Sequence, residues 1–235
     1  METTLHLVKP TRNFGQFKLS LNDKNEVESY SAPVDNVASE DPFLKYQQWN
    51  TILHEDLIKA KALYPQVLRA LEIRAGLGSW EHPVGPIHRA MVFFIQGYIF
   101  GRGELSLILW AAGIDCLFAS RNERGAQVIA DRLKRFLGEK FEPYQAVNPK
   151  PKRSPLQLDS IARDIFLLRN AYMHGEPIPS GEWLSKENEP IEHGYGYQLL
   201  ECTEIILREC LMRILYQEET VEIFRDKEKL RGYFN

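Results

Sequence analysis

The sequence has little that would place the chain outside a reducing, aqueous compartment. There are three cysteines in 235 residues, Cys116, Cys202 and Cys210, each set among Leu, Ile or Phe. That is too few for a disulfide framework, and the surroundings are those of buried free thiols. No charge-free apolar run reaches the roughly 18 residues of a membrane span. The most apolar stretch, 90–118, is interrupted by Arg102, Glu104 and Asp115. The opening METTLHLVKPTRNFG lacks the charged-then-apolar build of a secretion signal. These absences predict a cytoplasmic protein with no membrane segment.

An excess of one charge sign is missing too. The formal net charge of −3 excludes a chain coated with positive charge, though not a local basic groove. There is no H-E-x-x-H, no Cys-x-x-Cys, no P-loop and no nucleophile elbow. GRGE (101–104) has neither a preceding strand nor a third glycine, and His82, His88 and His193 lack ligand spacing. Neither a metal nor a cofactor is therefore expected. Trp49, Trp80, Trp110 and Trp183 are scattered, as core or covering residues are.

What is present is a soluble globular composition, 44% hydrophobic and 26% charged, long enough for one or two domains. Residues 1–40 differ from the rest. TLHLV and FGQFKLSLN alternate on either side of KPTRN, which predicts a hairpin in a short strand-containing N-terminal arm. Asp41 and Pro42 are suited to starting a helix, and helical periodicity dominates residues 41–235. Leu53, Leu57, Ala60, Leu63, Tyr64, Leu68 and Leu71 mark a first helix, ending at the loop AGLGSWEHPVGP. Further helices are predicted over 87–100, 105–119, 120–138, 156–173 and 197–217, the last followed by a charged tail. The segment 105–119 is apolar almost all round, as a central helix is, and Gly138 is a natural helix stop. The fold expected is all-α: an antiparallel helical bundle with the arm appended.

The helix before LLRNAYMHGEP (167–177) carries two stripes. Leu158, Ile161, Ile165, Leu168 and Tyr172 make an apolar stripe for the core. Arg163, Leu167, Asn170 and His174 make another, with Asn170 one turn below His174 and within reach to orient its ring. Arg169 points about 100° away from Asn170, beside Phe166 and Met173. His174 falls at the carbonyl end, where the macrodipole favours a cation; Gly175 and Pro177 stop the helix. A histidine so placed suits proton transfer, and an arginine beside it offers a permanently charged fork to a phosphate. A histidine that merely caps a helix meets the same description, and spacing alone does not separate the two.

Arg169–Asn170–three residues–His174–Gly175, closing a helix in an all-helical chain, resembles the R-x4-H signature of HEPN domains. The layout is most similar to the Apea-like branch: LILWAAGIDCLFAS, then IADRLKRFLG, then LLRNAYMHG. The similarity runs over residues 85–217. It implies a metal-independent endoribonuclease of a toxin, phage-defence or RNA-processing system, working as a homodimer with both motifs facing one cleft. It also allows for an antitoxin or another protein partner. In that reading Arg169, Asn170 and His174 are catalytic: His174 moves protons, Arg169 neutralises the phosphorane and Asn170 orients. The lone acid of its apolar helix, Asp115, is a supporting residue; it needs a partner, and Arg169 or Arg121 would serve. The alternative is a non-catalytic HEPN-like module that binds RNA, a nucleotide or a protein; a third reading is a structural bundle whose motif only caps.

Residues 121–153 hold nine basic against four acidic side chains in a chain of net −3. Arg132, Lys134, Arg135, Lys150, Lys152 and Arg153 are therefore the candidate RNA-binding residues, although a solvated helix face accounts for such a stretch equally well.

Overall fold

A computed structural model describes residue 7 and residues 18–21, 27–31, 51–52, 54–71, 85–99, 103–119, 125–143, 158–176 and 195–234. Contacts divide the chain into two compact units, residues 1–72 and 73–235.

The first unit holds a three-stranded antiparallel sheet in the order β1 (Lys18–Leu21), β2 (Val27–Ser31), β3 (Thr51–Ile52), and helix α1 (His54–Leu71). Polar and apolar residues alternate along β1. Lys18 pairs with Ser31 and Leu19 with Tyr30, and the register shifts between Ser20 and Leu21. The hairpin of β1 and β2 spans the polar residues 22–26; the turn expected at KPTRN lies outside the described residues. Leu7, inside the expected strand TLHLV, has helical backbone and is buried. The helix expected from Asp41 and Pro42 onward does not run through Thr51–Ile52; residues 32–50 lie outside the described residues. The β-branched pair Thr51–Ile52 joins the sheet beside β2, so α1 starts at His54. Ala60, Leu63 and Val67 form its buried stripe.

The second unit is a helical bundle: α2 (Pro86–Ile99), α3 (Glu104–Phe118), α4 (Ala126–Leu137), α5 (Leu158–His174), α6 (Tyr195–Tyr216), α7 (Glu218–Arg225) and α8 (Lys227–Phe234). As its sequence predicts, α3 is central, packed by α2, α4, α5 and α6. Trp110, Ile114, Leu117 and Phe118 are fully buried or nearly so. Helices α2 and α3 run antiparallel: the Ser106 hydroxyl donates to the Gly97 carbonyl (2.7 Å), and Trp110 Nε1 donates to the Phe94 carbonyl (3.0 Å). Tyr98 ties α2 to α6 by donating to the buried Glu204 carboxylate (2.6 Å). Arg208 Nε lies 3.2 Å from the same carboxylate as a close ion pair, without the alignment of a hydrogen bond. Among the described residues no helix is long and apolar enough to cross a membrane.

Two elements depart from the sequence reading. The charged tail folds into α7 and α8, because each buries a pair four residues apart: Thr220 with Phe224 in α7, and the apolar Leu230 with Phe234 in α8. Asp226 caps α8, its Oδ1 accepting from the backbone N–H of Glu228 (2.8 Å) and Lys229 (3.3 Å). The Phe234 ring then joins a cluster with Phe118 and Phe224. The apolar stripe of α5 also ends a turn early: Leu158, Ile161, Ile165 and Leu168 are buried, but Tyr172 is 41% exposed.

Gly97 is where α2 and α3 approach most closely, since a Cβ there would lie 2.1 Å from Trp110 Nε1. Alanine would favour the helix by about 1 kcal/mol. Displacing the indole, however, overpacks the core at roughly 1–3 kcal/mol and strands a buried donor at roughly 1–3 kcal/mol more. The second effect wins, so Gly97→Ala is expected to lower the urea midpoint of unfolding, and an unchanged or raised midpoint would contradict this packing.

Candidate functional site

Helix α5 ends on its own backbone. Gly175 takes φ 67°, the left-handed region that glycine enters without a Cβ penalty. The Gly175 N–H donates to the Tyr172 carbonyl (3.2 Å) and the Glu176 N–H to the Ala171 carbonyl (2.8 Å). This paired closure accounts for two of the last carbonyls. The His174 side chain is thus not what closes the helix. It is exposed, and no described residue hydrogen-bonds to it.

Arg169 is held from three sides. Its Nη2 donates to Asp115 Oδ2 across to α3 at 3.3 Å, joining side chains 27% and 33% exposed. Its Nη1 donates to Asn170 Oδ1 (3.2 Å), and its guanidinium carbon sits 5.9 Å from the centre of the buried Phe166 ring. Of the two partners considered for Asp115, Arg169 is the one observed; Arg121 lies outside the described residues. An ion pair this open to solvent contributes at most about 1 kcal/mol to stability. Its consequence is geometric: it fixes where the guanidinium stands.

Asn170 and His174 are both exposed on the outer stripe of α5, but the Asn170 carbonyl oxygen is turned to Arg169, not to the imidazole. Five residues of helix separate Arg169 from His174 by about 140° of rotation and about 7.5 Å of rise. Arg169 is turned towards α3 instead of swinging to the rim beside His174. Tyr172 and Met173, both exposed, flank the motif.

Among the described residues of the basic stretch, Arg132 is buried, Lys134 is half-buried, and Arg135 and Lys140 are exposed. Arg132 is 6% exposed, donates to the Phe118 carbonyl at the end of α3 (2.6 Å) and lies 5.6 Å from the Phe234 ring centre. It is a closing group for α3, not a surface contact for RNA. Arg135 donates to the Phe234 carbonyl, and Lys134 pairs with Glu139 (3.7 Å) near the surface. Lys150, Lys152 and Arg153 lie outside the described residues. Arg213, which the sequence did not single out, donates to the Phe136 (3.2 Å) and Leu137 (2.8 Å) carbonyls at the end of α4. The only advance signal was an arginine on the polar side of a mostly apolar helix.

Among the described residues no three His, Cys, Asp or Glu side chains gather as a metal site. Burial pushes the Cys202 and Cys210 thiols well up, helped by Glu201 and Glu209 respectively and opposed at Cys210 by Arg213. Both therefore stay protonated and unreactive. Burial lowers the pKa of His88, in the first turn of α2. No protein-family model matches the chain, and no curated protein or solved structure matches it.

A buried charged hydrogen bond separates the two roles open to Arg132. Arg132→Met should destabilise the bundle by roughly 1.5–3 kcal/mol in denaturant unfolding while changing RNA affinity little. A large loss of RNA affinity at unchanged stability would restore Arg132 to the surface.

Proposed function

We propose that the chain is a HEPN-type, metal-independent endoribonuclease acting as a homodimer. The observation that carries this reading is the exposed His174 at a helix end that backbone bonds have already closed, with Arg169 held in place a little over one turn before it. A histidine needed as a cap would be engaged; no described residue engages this one.

In the proposed reaction the RNA 2′-oxygen attacks the adjacent phosphorus and the bond from phosphorus to the 5′-oxygen breaks. The 2′-hydroxyl loses its proton to a base, the departing 5′-oxygen gains one from an acid, and the products are a 2′,3′-cyclic phosphate and a 5′-hydroxyl. His174 is the proton-transfer group and Arg169 the counter-charge for the phosphorane. The angular separation of the two on one helix favours a two-chain site, in which the arginine and histidine meeting a single phosphate need not share a helix. Exposed Tyr172 and Met173 beside the motif suit a contact between copies. Lys134, on the surface of α4, is available to the RNA backbone. A toxin or defence setting, with an antitoxin or other protein partner, is the context the resemblance implies.

The test is degradation of single-stranded RNA in EDTA. The wild type should leave cyclic-phosphate ends, and His174→Ala and Arg169→Ala should each cut the rate on the order of 100-fold or more with the circular dichroism spectrum unchanged. Undiminished cleavage by both variants would remove the site. RNA binding without cleavage by the wild type would select the non-cleaving module instead.

A further inference from the structure

Neighbouring residues on a helix point about 100° apart and do not ordinarily touch through their side chains. Arg169 and Asn170 do, because the arginine bends over the Phe166 ring and back across its own helix. We infer that Asn170 is a positioning residue for Arg169, not for His174. Together with Asp115 it holds the guanidinium in one orientation to receive a phosphodiester of unpaired RNA.

Three contacts from three directions carry this: the Asp115 carboxylate from α3, the Asn170 carbonyl oxygen from α5 itself, and the Phe166 ring beneath. An arginine side chain has about 2 kcal/mol of rotamer entropy to lose on being fixed, and here part of that loss precedes any ligand. Among the described residues, two of the five guanidinium N–H donors are engaged by protein acceptors, and the others point to no described acceptor.

The chemistry of position 170 follows from charge. Asp115 already balances Arg169, so a second carboxylate beside the guanidinium would give the locus a net negative charge and repel a phosphate. A neutral amide orients the guanidinium without that repulsion. Acceptor and charge can therefore be separated: aspartate at 170 keeps the hold and opposes the anion, and leucine loses the hold.

That the received group is a phosphodiester rests on the endoribonuclease reading; the hold on Arg169 does not, and the experiment reads them separately. In the full-length protein with labelled arginine, NMR of the Arg169 Nη groups reports whether their rotation is restricted. Affinity for a 2′-O-methyl oligoribonucleotide, which has no 2′-hydroxyl to attack, reports phosphate binding without turnover. The wild type should show restricted Nη signals, kept in Asn170→Asp and averaged in Asn170→Leu and Asp115→Ala. Asn170→Asp should weaken the oligonucleotide about tenfold. In cleavage, Asn170→Leu should lower kcat roughly 10- to 100-fold with a much smaller change in KM. Because Asn170 is exposed, its variants should fold, which thermal unfolding verifies. Averaged Nη signals in the wild type, or signals unchanged in Asn170→Leu, would overturn the hold. Wild-type affinity in Asn170→Asp would overturn the charge argument. Restricted signals that depend on Asn170, in a wild type that neither binds the oligonucleotide nor cleaves RNA, would uphold the hold and overturn the endoribonuclease reading.

Discussion

A helix that ends inside a protein leaves carbonyl oxygens without partners, and four helix ends of this bundle meet that constraint in two ways. Helix α3 is closed at Phe118 by Arg132, α4 at Phe136 and Leu137 by Arg213, and α8 at Phe234 by Arg135. Guanidinium groups fit such ends well, because they bring several donors to clustered carbonyls and place positive charge at the negative end of the helix dipole. A hydrogen bond to such a charge contributes roughly 1.5–3 kcal/mol, more than the same arginine would gain from an exposed ion pair. Helix α5 meets the constraint differently. Gly175 turns the chain back and the backbone closes the end, so neither Arg169 nor His174 is needed there.

This division explains which parts of the molecule were legible in the sequence. The all-round apolarity of 105–119 gave away α3 as the central helix, and the glycines at 138 and 175 marked real helix ends with positive φ. Periodicity of this kind is local, so it can be read one segment at a time. The charge count over 121–153 could not be, because a basic residue looks the same in sequence whether it meets a phosphate or a buried carbonyl. Arg132 differs from Lys134 only in facing the end of α3 and the Phe234 ring, and that depends on a helix at the far end of the chain. The tail was hidden for a related reason. Eight-residue helices are marginal alone, and α7 and α8 exist because Phe224 and Phe234 find Phe118.

The motif shows the same mixture. Residues 163, 167, 170 and 174 share a stripe, as the spacing required, and Asp115 and Arg169 meet across two helices, one of the two pairings the sequence offered for that acid. Facing along one stripe did not amount to bonding. The oxygen of Asn170 goes to Arg169, because a charged donor is the stronger attractor and the arginine stem is long enough to bring it within 3.2 Å. Tyr172 had the right spacing for the core but lies in the last turn, where 41% of it remains in solvent. A stripe is a property of the helix; burial is a property of what reaches it.

The two ends of the motif thus have opposite characters. Arg169 is fixed by an acid, an amide and a ring, and its partly solvated pair with Asp115 costs less desolvation than a buried one would. His174 is exposed and no described residue bonds to it, at the last position of a helix that backbone bonds close. Fixing a charge in advance removes reorganisation from the step in which charge develops, whereas a group that carries protons between atoms must be able to reach both of them. In the proposed reaction, an arrangement in which the permanent cation is held and the titratable ring is left exposed divides the work along those lines.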